Sequence, residues 1–243
     1  MQKFFVFDCE NDQKEITIGG DDAVHISRSL RMKIGDSLTV CDGRGNDFSC
    51  VIKSITASDV TLDVLSVTKS DAEPPYRAVL YQALAKSDKM DTIVQKAVET
   101  GVAKIVPFES RYCIAKIAGG ARNKLVRWRR IALEAAKQCG RGIVPEISEP
   151  VALSEALEEA AKAQCPFICY EDEKTAKLGA VAPKGKKEYS FFIGPEGGFS
   201  EEEIAAAAQK GIPSAGLGKR ILRTETASSF VLACLCMENE LQN

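Results

Sequence analysis

The sequence predicts an α/β protein in two parts: a small N-terminal β-barrel over residues 1–72 and a C-terminal α/β domain with a parallel sheet over residues 73–243. Three observations carry this. Residues 1–70 hold short alternating apolar stretches at close spacing, separated by turn signals, the pattern of a small barrel. Residues 70–75 (SDAEPP) place two prolines together, which disfavour both a helix and a central strand and mark a linker. Beyond them, apolar strands alternate with helical segments, the order that produces a parallel sheet covered on both faces.

The elements follow in order. Strands are expected at residues 3–7, 37–41, 47–55 and 60–67, with one short helix at 23–33. Turns fall at Gly19-Gly20, at Gly35-Asp36 and across Asp42-Gly43-Arg44-Gly45-Asn46. In the second part, strand 78–83 leads to helix 89–100, closed by Gly101, and strand 104–108 leads to helix 121–139, closed by Gly140. Helix 153–163 precedes strand 166–170. Strand 190–193, helix 200–210 closed by Gly211, strand 214–217 and helix 224–240 complete the chain. There is no internal repeat and no low-complexity tract.

Composition narrows the function. The chain has 243 residues, 45% hydrophobic and 27% charged, as in an ordinary globular protein. No apolar run approaches the ~20 residues of a membrane helix. The N-terminus lacks the charged start and long apolar stretch of a signal peptide, so a cytoplasmic protein with no membrane partner is expected. Nine cysteines without a CxxC pair, and a single histidine, His25, argue against a metal site. Buried, reduced thiols in a reducing cytosol are the expectation.

A net charge of -2 argues against a protein that merely coats nucleic acid. The charge is segregated, however. Residues 116–141 hold Lys116, Arg122, Lys124, Arg127, Arg129, Arg130, Lys137 and Arg141 against Glu134 alone. Residues 146–173 hold Glu146, Glu149, Glu155, Glu158, Glu159, Glu171, Asp172 and Glu173 against Lys162 alone. The basic helix is therefore a candidate surface for phosphates.

Two motifs carry the chemistry. In the first, an apolar strand runs into GPEGGFSEEE at residues 194–203. Ser200 with Glu203 three residues on makes a capping box, and three glycines allow a ligand close to the backbone. The loop lacks the G-x-G-x-x-G spacing of a dinucleotide fingerprint and the Lys-Ser/Thr of a phosphate-binding loop. In the second, LGKRILRTETA at residues 217–227, a short strand passes through glycine to a helix that Thr224 can cap. Arg220 and Arg223 flank two apolar residues, and an arginine there can clamp phosphate or developing negative charge. On the residues alone, the loops fit an enzyme that binds a small ligand, a nucleotide-binding transferase among them, and a non-catalytic RNA-binding assembly factor stays open.

Together the two motifs resemble the paired signature of the bacterial 16S rRNA uracil-N3 methyltransferases. The stretch from His25 to Asp36 is similar to that family's PUA-like N-terminal barrel. Ala83 to Lys86 with Asp91, Gln95, Lys96, Glu99 and Gly101 matches its first sheet-and-helix unit, and Trp128, Ala135, Gln138, Cys139 and Arg141 fit its second helix. The resemblance implies a SPOUT fold with a trefoil knot, and S-adenosylmethionine as cofactor, held by Gly194, Pro195, Glu196, Gly197, Gly198, Leu217, Gly218, Ile221, Leu222 and Thr226. It implies 16S rRNA of the small ribosomal subunit as substrate, contacted by Arg28, Arg31, Lys33, Arg122, Arg127, Arg129 and Arg130, and a homodimer.

Uracil N3 carries a proton that must leave before attack. Arg223 is then the candidate cation for charge spreading onto the carbonyl oxygens, and Glu225 the candidate base. The last helix is apolar at every position from Phe230 to Met237, so it needs cover on all sides, and a second subunit is the natural cover.

Overall fold

The computed structural model describes residues 3–115 and 121–242, leaving aside the side chains of Ser87, Ala121, Arg122 and Asn123. The chain forms two compact units, Met1–Glu73 with Ala136–Val144, and Pro74–Ala135 with Pro145–Asn243.

The first unit is a five-stranded sheet in the order β1 (Lys3–Phe5), β3 (Ser37–Cys41), β4 (Asn46–Ile55), β5 (Asp59–Lys69), β2 (Glu15–Gly19). β1 pairs with β3 in parallel and the other pairs are antiparallel. The period of two sorts the side chains: Ile16 and Ile18 of β2, Phe48, Cys50 and Ile52 of β4, and Val60 and Leu62 of β5 all point into one core. The expected small barrel is a curled sheet, because among the described residues its edges β1 and β2 do not pair with each other. The expected helix at 23–33 is shorter and earlier: α1 (Gly20–Val24) continues as a π-helical turn, His25–Ser29.

Two carboxylates organise this unit's loops. Asp42, almost fully buried, accepts hydrogen bonds from the backbone amides of Arg44 at 2.8 Å and Asn46 at 3.0 Å and from the Asn46 side chain. Burial pushes its carboxyl up, but these bonds outweigh burial and leave it below its ordinary value. Glu73 accepts from Arg141 at 2.6 Å and from the amides of Gly142 and Ile143 at 2.9 and 3.0 Å, so the 136–144 segment belongs to this unit.

The second unit is a seven-stranded sheet, parallel throughout. Its order is β12 (Ser214–Ala215), β10 (Cys165–Cys169), β11 (Glu188–Ile193), β6 (Arg77–Ala83), β7 (Lys104–Glu109), β8 (Glu146–Ile147), with β9 (Val151–Ala152) also on β7. The helices are α2 (Ser87–Glu99), α3 (Ala121–Cys139), α4 (Leu153–Ala160), α5 (Leu178–Val181), α6 (Glu201–Gln209) and α7 (Thr224–Cys236), the last continuing as a π-helical turn, Met237–Leu241.

The central strands are apolar and covered on both faces. Tyr81 stacks on Phe192 with ring centroids 4.5 Å apart, and Phe108 meets Phe192 edge-on. From β6 the chain builds first to one side, through β7 and β8, and later to the other, through β10, β11 and β12. The order reverses between β6 and β11, and a ligand crevice is expected at their carboxyl ends. α7 leaves β12 at the sheet edge and returns to pack on α2, β6 and β11. Among the described residues no helix is long and apolar enough to cross a membrane, and no group of three or more His, Cys, Asp or Glu could hold a metal ion.

Candidate active site

The GPEGG loop follows β11, one side of the point where strand order reverses. A turn closes it, with the Gly198 amide donating to the Pro195 carbonyl at 3.0 Å. The capping box forms as expected: Ser200 Oγ accepts from the Glu203 amide at 3.3 Å, and the Glu203 carboxylate accepts from the Ser200 amide at 2.9 Å. Gly198 has φ +70°, a backbone conformation that favours glycine, and a Cβ there would displace the Glu171 carboxylate. At Gly197 a Cβ would come to 2.9 Å from Tyr112 Cβ.

The second loop leaves β12 and enters α7. Gly218 has φ +113°, with nothing within 4 Å of an added Cβ. Both loops line one cavity. Of the sequence-predicted donor residues, Gly194, Pro195, Glu196, Gly198, Leu217, Gly218, Ile221 and Leu222 stand on its wall, while Gly197 and Thr226 stand outside it. Tyr170 and Glu171, just past β10, complete the wall and were not singled out in the sequence. Gly194, Gly198 and Gly218 stand on this wall, and the open space over Gly218 lets a ligand come close to the backbone there. Cys169 also lines the cavity, and burial raises its thiol above the ordinary range. All nine cysteines are free thiols.

Thr224 does not cap α7. The cap position belongs to Arg223, which makes no side-chain cap bond. The Thr224 hydroxyl turns inward instead, donating to the Gly194 carbonyl at 2.7 Å and accepting from the Gln82 amide at 2.9 Å. It ties the two loops together.

Arg223 is exposed and pairs with no acid among the described residues. Glu225 lies two residues on. Its Oε2 is buried without a hydrogen-bond partner, and the Lys89 ammonium stands 3.8 Å from it. The same ammonium is 3.1 Å from Glu196. Burial pushes the Glu196 carboxyl up, but backbone amides and Lys89 outweigh it and hold the group below its ordinary value. Lys89 and Gln82 were missed in the sequence. Their one signal is position, at the start of α2 and the end of β6, beside the switch point.

Arg28, Arg31 and Lys33 are exposed on the first unit, Arg31 with φ +53°. The basic helix α3 is more engaged than its charge count suggests. Arg127 pairs with Asp91, and Arg129 donates to the Ile147 carbonyl at 3.0 Å. Lys137 reaches Asp22 at 3.3 Å, and Arg141 is buried against Glu73. Arg130 is exposed; Lys116 and the Arg122 side chain lie outside the described residues.

Residues 72–236 match the family model described as an RNA methyltransferase domain, and residues 18–65 match the RNA methyltransferase PUA domain. The chain is 30% identical to the ribosomal RNA small subunit methyltransferase E of Bacillus subtilis, over 99% of this chain and 98% of that protein. It is 34% identical to the protein of the same name from Mesomycoplasma hyopneumoniae, over 78% of this chain and 85% of that one. The Neisseria gonorrhoeae ribosomal RNA small subunit methyltransferase E, solved bound to S-adenosyl methionine, superposes with a TM-score of 0.88 at 29% identity, covering 98% of this chain and 97% of that one.

Proposed function

Since the chain belongs to the RNA methyltransferase domain family, we propose that it transfers a methyl group from S-adenosylmethionine to N3 of a uridine in the 16S rRNA of the small ribosomal subunit. The observation that carries this reading is the meeting of two glycine loops, 194–198 and 217–222, in one cavity at the carboxyl ends of the strands, with Thr224 on its wall and Arg223 and Glu225 next to Thr224 in sequence. Both the name and the bound ligand of the Neisseria gonorrhoeae relative support it.

In this reading the loop backbones around Gly194, Gly198, Leu217 and Gly218 hold the donor. The donor supplies an electrophilic methyl carbon on a sulfonium. Glu225, its Oε2 buried and free to accept, takes the N3 proton. Arg223, exposed and unpaired among the described residues, stabilises the charge that spreads onto the uracil carbonyl oxygens. Lys89, 3.8 Å from the Glu225 carboxylate, is its ion-pair partner. Arg28, Arg31, Lys33 and Arg130 meet the RNA backbone.

The protein acts in the cytoplasm as a homodimer. In α7 one face is buried through Ala227, Val231, Leu232 and Leu235, but Phe230 and Ala233, with Met237 and Leu241 of the π-helical turn that follows, are exposed apolar residues. A second copy of this chain is the cover we assign to them.

Calorimetry with the donor tests the reading. One donor should bind per chain, and ATP in excess should not displace it. ATP binding with no affinity for the donor would favour a nucleotide transferase, and RNA binding without donor binding would favour an assembly factor.

A further inference from the structure

Gln82 is an odd residue for its place. It lies in β6, opposite Ile193 of β11, and is fully buried in a strand whose inner positions are otherwise apolar. A buried amide is retained at a cost unless its hydrogen bonds do something an apolar side chain cannot.

Those bonds are directional. The two Gln82 amide protons go to the Ala83 carbonyl at 3.0 Å and to Thr224 Oγ1 at 2.9 Å. With that lone pair used, the single Thr224 proton goes to the Gly194 carbonyl at 2.7 Å. Flipping the amide would set Oε1 against the Ala83 carbonyl, acceptor against acceptor, so the orientation is fixed by chemistry. The consequence is that Gln82 Oε1 stays buried without a partner. A strand built only to pack would hold an aliphatic side chain here.

The chain of bonds ends where the chemistry is placed. Thr224 is the first residue of α7, whose start has no side-chain cap of its own. Arg223 and Glu225 flank it, and Gly194 heads the loop after β11. Gln82 itself is not on the cavity wall, so it acts through Thr224.

We infer that Gln82 is a positioning residue for methyl transfer: by donating to Thr224 it fixes the first turn of α7 to the Gly194 loop and so aims Arg223 and Glu225. This rests on the function proposed above.

Four single variants and a double variant test it, on the full-length protein with S-adenosylmethionine and small ribosomal subunits. Gln82→Met keeps the volume and loses the donors, and Thr224→Val keeps the shape and loses the hydroxyl. Each should lower kcat by roughly tenfold, the worth of one well-placed hydrogen bond, while donor and RNA KM change little. The double variant should be no worse than either single one, because both break the same link. Thr224→Ser should restore the rate. Gln82→Glu cannot donate when ionised but can when protonated, so its rate relative to the parent should climb as pH falls.

Hydrogen exchange reads the link without turnover. The Thr226 and Ala227 amides, which donate to the Arg223 carbonyl at 2.9 and 2.8 Å, should exchange faster in Gln82→Met and Thr224→Val and at the parent rate in Thr224→Ser. Rate losses that multiply in the double variant, unchanged exchange, or Thr224→Ser as damaged as Thr224→Val would overturn the inference. Should Thr224→Val fail to fold, the serine variant and the Gln82→Glu pH profile decide it. A parent protein that transfers no methyl would defeat the proposed function instead, and exchange would still judge the link.

Discussion

Changing Gly218 to valine should separate donor binding from folding. At Gly218 φ is +113°, a conformation that a β-branched residue adopts only under strain, and nothing lies within 4 Å of the new Cβ. The cost to the fold is therefore backbone strain alone, about 1–3 kcal/mol. At roughly 2–4 °C per kcal/mol for a chain of this size, that lowers Tm by about 2–12 °C. The valine methyls, however, occupy the open space that Gly218 leaves on the cavity wall. Donor affinity should fall by at least about tenfold, or ~1.4 kcal/mol. Gly197→Ala is the internal control. Its Cβ would meet Tyr112 Cβ at 2.9 Å, away from the cavity wall, so the backbone around Tyr112 must give by a few tenths of an ångström. Donor affinity should stay within about threefold of the parent, less than 1 kcal/mol. Calorimetry for affinity and thermal unfolding for stability give both numbers. Normal donor binding in Gly218→Val, or an equal loss in Gly197→Ala, would refute the assignment of the cavity.

Four further outcomes are expected. Arg223→Ala should lower the rate of methyl transfer more than it weakens RNA binding, since a cation acting on developing charge matters most in the transition state; single-turnover kinetics beside filter binding would show it. Arg130→Glu should weaken RNA binding and flatten its salt slope by about one, whereas Arg129→Ala, which frees the Ile147 carbonyl, should cost about 1 kcal/mol of stability in a urea titration. The Glu173 carboxyl is held at about 2, against an ordinary 4.5, first by the hydroxyls of Ser214 and Thr175 and then by the amides of Ala176 and Thr175. A depressed carboxyl stabilises the fold above pH 4.5 and loses that contribution as pH falls toward 2, so the Tm gap between the parent and Glu173→Gln should be full at neutral pH and close across that window. Phe230→Asp, at an exposed position of α7, should give a folded monomer by light scattering, while Leu235→Asp, at 2% exposure, should unfold the chain.

Much of this was legible in the sequence where the signal is local. β3 and α3 have the expected bounds, and the Ser200 capping box forms, because alternation, helical period and capping act within a few residues. β2 escaped notice, since two isoleucines among Glu15, Thr17 and Gly19 make too short a pattern, and β8 and β9 are two residues each. Closure of the first sheet is a property of its edges, which no strand pattern reports. Thr224 looked like a cap because its residue type favours one, but its partners, Gly194 and Gln82, are 30 and 142 residues away and invisible to local rules. Lys89 became a candidate only once the fold brought it within reach of Glu196 and Glu225. The charge count of α3 overstated its free surface for the same reason: Asp91 and Glu73, which neutralise Arg127 and Arg141, lie far off in sequence.

The central claim is methyl transfer to N3 of a uridine in small-subunit rRNA. The direct measurement incubates the protein with labelled S-adenosylmethionine and small ribosomal subunits from cells lacking the enzyme, digests the RNA to nucleosides, and identifies the labelled one by mass spectrometry. One labelled nucleoside is expected, N3-methyluridine, from one position in 16S rRNA. Label on a ribose, on another base or on no RNA at all would contradict it.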